Sequence, residues 1–149
     1  MKVTALAPSM GAEITDIDLA ACCDRTTGSI DSAVIAEIRS IWLAHQLVVI
    51  RAQSISPAEQ LQFAKALGEP DIYPFLKGLD GFPMITEVLK KETETVNFGG
   101  VWHSDTTYQP CPPMPTVLYA HELPPLGGAT LFANRYASYP QLSFALKHR

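Results

Sequence analysis

At 149 residues, with 47% hydrophobic and 17% charged content, the chain reads as one globular domain and excludes an intrinsically disordered segment. A formal charge of −4, with no Lys/Arg block, gives no electrostatic basis for nucleic acid or an anionic membrane surface as partner, so a small-molecule substrate is the working expectation. The first seven residues are too short in apolar character for a signal peptide and no run reaches membrane-spanning length, which predicts a cytoplasmic protein.

Residues 2–18 read as short strands. Asp31 is placed to cap a helix whose apolar positions are Ile35, Ile38, Ile41 and Trp42, with Ile30 set to pack on Ile35 as a hydrophobic staple. Leu47-Val48-Val49-Ile50 reads as a strand buried on both faces. Ser56-Pro57-Ala58-Glu59 is a capping box with proline at the first helical position. The helix it opens carries Leu61, Phe63, Ala64 and Leu67 and ends at Gly68. A turn-rich loop follows at Glu69 to Phe75, where Tyr73 either reaches a binding site or packs beside Pro74. Met84 to Leu89 alternates as a strand does, and Lys90 to Glu94 reads as a solvated turn. Cys22 and Cys23 are adjacent and Cys111 is remote, a spacing that fits neither a disulfide framework nor a zinc site and reads as reduced thiols.

The stretch Val101-Trp102-His103-Ser104-Asp105-Thr106-Thr107-Tyr108 carries the chemistry. In an extended strand, side chains at i and i+2 share a face, roughly 6.6 Å apart along the backbone, so His103 and Asp105 are placed to converge on one metal while Ser104 turns away. They offer one neutral nitrogen and one anionic oxygen, two members of a 2-His-1-carboxylate triad that leaves three positions open on Fe(II). Composition alone yields a His-x-Asp tripeptide in roughly one such chain in five, so its surroundings must carry the assignment. Asn97-Phe98-Gly99-Gly100 leads in, and Pro110-Cys111-Pro112-Pro113-Met114-Pro115 forms a turn beyond it. Gly99 and Gly100 either permit close approach of a substrate or mark a turn. Trp102 and Tyr108 read as aromatics packed around the metal strand. Thr116 to Ala120 and Thr130 to Phe132 then read as strands, the first of them buried, and Asn134 to Lys147 as helix in two pieces broken at Pro140.

In these residues the chain resembles the TauD/TfdA family of Fe(II)- and 2-oxoglutarate-dependent dioxygenases. The motifs are Trp102-His103-Ser104-Asp105-Thr106-Thr107 and the run Glu122-Leu123-Pro124-Pro125-Leu126-Gly127-Gly128-Ala129-Thr130-Leu131-Phe132. Weaker similarity runs through Gly11-Ala12-Glu13-Ile14 and His45 to Arg51, so nearly the whole chain takes part. The resemblance implies that His103 and Asp105 ligate Fe(II) and that Thr130 hydrogen-bonds a carboxylate of the co-substrate 2-oxoglutarate. It places the family's second histidine and its 2-oxoglutarate-binding arginine beyond Arg149, since His121 at the end of a strand and the penultimate His148 are poorly placed to be ligands. The expected fold is mainly β with flanking α-helices, an incomplete double-stranded β-helix of the jelly-roll, cupin-like kind. Residues 1–149 would then be a partial dioxygenase domain, truncated before the distal His and Arg.

The implied reaction is hydroxylation of a small organic acid or sulfonate-type substrate by dioxygen, with release of succinate and CO2. Tyr73 stands where the taurine-using subgroup has a histidine, which argues against taurine, and Tyr73 and Asn97 are the candidate substrate-binding residues. Two other readings stay open. One is a non-catalytic remnant that serves as a ligand-binding or interaction module. The other is a zinc hydrolase, for which no third ligand or general base at helix spacing is present. A homo-oligomer is compatible with all three.

Overall fold

The computed structural model describes residues 1–96 and 98–148. The chain divides into two compact units, one of residues 1–18, 36–53 and 119–149, the other of residues 19–35 and 54–118.

The first unit is built on a three-stranded sheet of order β1-β2-β5, with β1 at Lys2–Ala5, β2 at Ala12–Thr15 and β5 at Val48–Ile50. β1 and β2 pair antiparallel from Lys2↔Thr15 to Ala5↔Ala12. β2 and β5 pair parallel from Ala12↔Val48 to Ile14↔Ile50. A parallel pair needs a crossover rather than a hairpin, and helix α2 at Ser32–His45 lies in that connection. Ala12 and Ile14 alternate with Glu13 and Thr15, and only the first two are fully buried, which is the period of a strand with one face on the core. Glu13 meets Arg51 at 2.7 Å. Ile38 is the buried residue that α2 adds to this unit. The helix closes where Gln46 takes a left-handed φ of +66°. Contrary to expectation β5 is half-buried, because it lies at the edge of the sheet rather than between two strands.

The second unit packs helix α3 at Pro57–Leu67 on two small hairpins. One pairs β3 at Cys23–Asp24 with β4 at Ser29–Ile30, the other β6 at Gly78–Leu79 with β7 at Phe82–Thr86. Helix α1 at Leu19–Cys22 precedes the first of these. Leu19, Ile35, Phe63 and Leu67 form the buried apolar set of this unit. Asp31 caps the start of α2 as expected, its Oδ1 accepting from the Ala33 N–H at 2.8 Å. The capping box is complete: the Glu59 N–H donates to Ser56 Oγ at 3.3 Å, and the Ser56 N–H donates to Glu59 Oε2 at 2.8 Å. Glu59 is nevertheless buried, and its other oxygen accepts from Arg25 Nε and Nη2 at 3.1 and 2.9 Å. These donors replace the water that burial removes. The Ser56 N–H and hydroxyl and then the Arg25 guanidinium hold the Glu59 carboxyl below its ordinary pKa, against the opposing effect of burial. Gly68 ends α3 in an extended conformation, and a Cβ there would lie 2.9 Å from the Met114 carbonyl oxygen. Close backbone approach, not a left-handed cap, therefore requires glycine at that position.

Several expected strands are shorter or absent. β7 begins at Phe82 and stops at Thr86, three residues before the expected end, and pairs back to β6 around Asp80-Gly81. The β3–β4 hairpin was not expected. Asp24 Oδ1 organises its turn by accepting the N–H groups of Thr26 and Thr27, and Gly28 supplies a φ of +69°. Residues 116–120 alternate exposed and half-buried, so they keep the two-residue period of a strand but join no ladder. Pro112, Pro113 and Pro115, which lack an N–H, run up to this stretch. Residues 130–132 are likewise unpaired and exposed. None of the three sheets closes on itself, and a jelly roll needs these later segments paired. The tail is helical in short pieces as expected: α4 at Arg135–Ser138, a 3-10 turn at Tyr139–Gln141 that contains Pro140, and α5 at Phe144–Lys147. Asn134 caps α4 and donates through Nδ2 to the Ser9 carbonyl at 2.6 Å. Among the described residues no helix is long and apolar enough to cross a membrane. Cys22, Cys23 and Cys111 form no disulfide.

Candidate metal centre

His103 and Asp105 do converge, but not on a strand. Residues 101–108 pair in no ladder, 105–108 form bends and a turn, and Thr106 adopts a left-handed φ of +41° that no extended ribbon accommodates. The bend brings the functional atoms together, with His103 Nε2 at 3.2 Å from Asp105 Oδ1 and both side chains about half exposed. A β-branched residue at such a φ stores strain on the order of 1–3 kcal/mol, and here it lies directly beside the converging pair.

Each functional group is oriented from behind. His103 Nδ1 lies 2.7 Å from the Val101 carbonyl, an acceptor only, so Nδ1 carries the proton and a neutral ring keeps its lone pair on Nε2. The Thr116 hydroxyl donates to Asp105 Oδ2 at 2.9 Å, which leaves Oδ1 toward the histidine. With the Nδ1 side engaged by a carbonyl, Nε2 and Oδ1 can face each other at that distance only with a proton or a cation between them. Two cis ligands at about 2.1 Å from an octahedral ion lie roughly 3 Å apart. The separation and the donor set therefore fit an ion held by both. Among the described residues no group of three or more His, Cys, Asp and Glu side chains gathers at one point, so these two are a pair rather than a full protein cage.

Gly99 supports the ring. Its φ is +67°, and a Cβ built there would lie 3.3 Å from His103 Cε1. Of the two readings offered for this glycine, the turn is what the backbone has. Trp102 and Tyr108 are 71% and 69% exposed, so neither is the packed aromatic expected beside the metal residues. With no strand here there is no sheet face to cover them.

The remaining candidates are placed as follows. Thr130 belongs to the first unit, on the exposed stretch before α4. Tyr73 is half-buried in the loop after α3, its ring edge-on to Phe75 at 5.4 Å. Asn97 lies outside the described residues. His121 stacks edge-on against Tyr119 at 4.7 Å, and His148 lies 4.2 Å from the Phe144 ring. Thr116 and the Val101 carbonyl were not anticipated. The one available signal for Thr116 was the Pro-rich turn, which folds the chain back on itself so that residues eleven apart can meet.

A family model described as taurine catabolism dioxygenase TauD, TfdA family, matches residues 2–149. The chain belongs to the TauD/TfdA family. Members of the family use Fe(II) and 2-oxoglutarate, and the pair of donors is compatible with a divalent ion. Among similar proteins is an alpha-ketoglutarate-dependent sulfate ester dioxygenase of Pseudomonas putida, 28% identical over 99% of this chain and 46% of its own length. An alkylsulfatase of Acinetobacter baylyi is 28% identical over 99% of this chain and 44% of its own. A (S)-phenoxypropionate/alpha-ketoglutarate-dioxygenase of Delftia acidovorans is 26% identical over 99% and 51% respectively. The chain thus spans about half the length of these relatives.

Proposed function

We propose that this chain supplies the Fe(II)-binding part of a 2-oxoglutarate-dependent dioxygenase acting on a small organic anion. The observation that carries this reading is the approach of His103 Nε2 to Asp105 Oδ1 at 3.2 Å, with the far atom of each group already engaged. In it, His103 and Asp105 hold the ion, and Thr130 hydrogen-bonds a carboxylate of 2-oxoglutarate, as its place in the family motif implies. The chain spans about half the length of these relatives, and in this reading residues 1–149 contribute part of a jelly roll.

When bound, Fe(II) with 2-oxoglutarate couples dioxygen reduction to oxidative decarboxylation, releasing succinate and CO2 while a substrate C–H is hydroxylated. The protein's contribution is charge and orientation. Asp105 brings one negative charge and His103 none, so a divalent ion stays net positive here and favours an anionic chelator. The Val101 carbonyl fixes the imidazole tautomer, which keeps Nε2 free to ligate. The relatives are named for sulfate esters and phenoxypropionate, so the substrate class best supported is a sulfate ester or aryloxy acid; the second falls within the organic acid first expected, and the first stands in place of the sulfonate.

The test is succinate formation from 2-oxoglutarate in air by the Fe(II)-supplied full-length protein, with and without such substrates. His103→Ala is expected to abolish it, and unchanged turnover in that variant removes the metal assignment. Zinc-dependent sulfate ester cleavage without succinate identifies a hydrolase instead. Neither activity, with small-molecule binding retained, identifies a binding module.

A further inference from the structure

We propose that Thr116 is a positioning residue that restricts Asp105 to ligation through a single oxygen. This rests on the metal assignment made above for His103 and Asp105.

The two oxygens of Asp105 are not equivalent. Oδ2 accepts the Thr116 hydroxyl at 2.9 Å, while Oδ1 faces His103 Nε2 at 3.2 Å. The carboxylate side chain is 54% exposed, so packing alone does not set its rotation. The terminal torsion of an aspartate is broad and roughly two-fold. A lone half-exposed carboxylate therefore turns easily and offers either oxygen, or both, to an ion. The Thr116 hydrogen bond, made to an ionised acceptor and so among the stronger of its kind, removes that freedom by occupying Oδ2.

The consequence is a count of coordination sites. A facial triad leaves three positions open only if its carboxylate takes one. A chelating co-substrate needs two and dioxygen the third. A carboxylate bound through both oxygens would occupy one of those three, and co-substrate and dioxygen would no longer fit together. Thr116 reaches Asp105 across the turn at residues 110–115, so a residue far outside the His-x-Asp motif sets how many positions that motif leaves open.

The probe is Co(II), titrated into the full chain and followed by d–d absorption, whose intensity reports coordination number. Thr116→Val keeps shape and removes the donor, and thermal unfolding of the variant checks that the fold is unaffected. Its Co(II) dissociation constant is expected to rise 10–100-fold, the usual consequence of losing such a supporting hydrogen bond, with a changed d–d spectrum. Thr116→Ser, which keeps the hydroxyl, is expected to restore the wild-type spectrum and an affinity within about threefold of wild type. A wild-type spectrum and affinity in Thr116→Val, or a Thr116→Ser variant as impaired as the valine variant, overturns the proposal. His103→Ala separates the two levels. If it loses the Co(II) signal while Thr116→Val keeps it, only the positioning role fails; if it too binds as wild type, the metal assignment itself is wrong.

Discussion

Gly99→Ala tests whether the backbone before the motif was shaped for the imidazole. The substitution has two separable effects. At a φ of +67° an L-residue sits in the left-handed region, at a cost of roughly 1–2 kcal/mol. The new methyl would also lie 3.3 Å from His103 Cε1 and 3.9 Å from Nε2, so the ring must retreat by a few tenths of an ångström. Metal sites tolerate displacements of about 0.2 Å in their ligands. The retreat exceeds that and shifts Nε2 relative to Asp105 Oδ1. We expect about a tenfold loss of Co(II) affinity, equivalent to about 1.4 kcal/mol. Gly81→Ala is the matched control, since Gly81 has a φ of +82° and nothing within 4 Å of a built Cβ. Both variants should unfold at lower temperature, by roughly 2–4 °C per kcal/mol for a chain of this size, but only Gly99→Ala should lose metal affinity. Isothermal titration of both proteins decides it. Equal Co(II) affinities for the two variants would show that the glycine serves the turn and not the ring.

Two further predictions concern the helix that anchors the second unit. Ser56→Ala removes the acceptor of the Glu59 N–H and one donor to Glu59 Oε2, and should cost about 1 kcal/mol in chemical denaturation; a loss under a few tenths would mean the cap is dispensable. Glu59, held below its ordinary value near 4.5 by Ser56 and Arg25, binds fewer protons folded than unfolded as acid is added. Its contribution is therefore complete above that ordinary value and lost as pH falls through the lower folded one. The difference in melting temperature between wild type and Glu59→Gln should narrow on acidification below about pH 4.5, and a gap that stays constant down to pH 3 would contradict the assignment.

The legible parts of this molecule are those whose cause lies within a few residues. Ser56 and Glu59 cap a helix because residues at N-cap and N3 face one another in any helix that starts there. Asp31 caps α2 for the same kind of reason, and the Pro140 break needs only the ring of one residue. The Asp24 to Gly28 and Asp80-Gly81 turns are equally local and were open to the same reasoning, because an acidic or Gly residue in the loop signals a hairpin. His103 and Asp105 were legible as a pair for a partly wrong reason. Their two-residue spacing keeps them close in many backbone conformations, and the chain adopts a bend where a strand was expected.

What the amino-acid order alone determined, then, is which short segments turn, which start helices, and which two side chains stay within reach of one another. Tertiary structure decided the rest. Residues 116–120 and 130–132 have strand-like composition, but a strand exists only when a partner supplies the hydrogen bonds its backbone lacks, and no ladder forms on either. Glu59 is buried because Arg25, 34 residues earlier in the chain, arrives to neutralise it. Asp105 is oriented because a turn returns Thr116 to its side. Each of these depends on closing a loop, whose entropy is repaid only by contacts made after the chain has folded back, and no local pattern reports that balance.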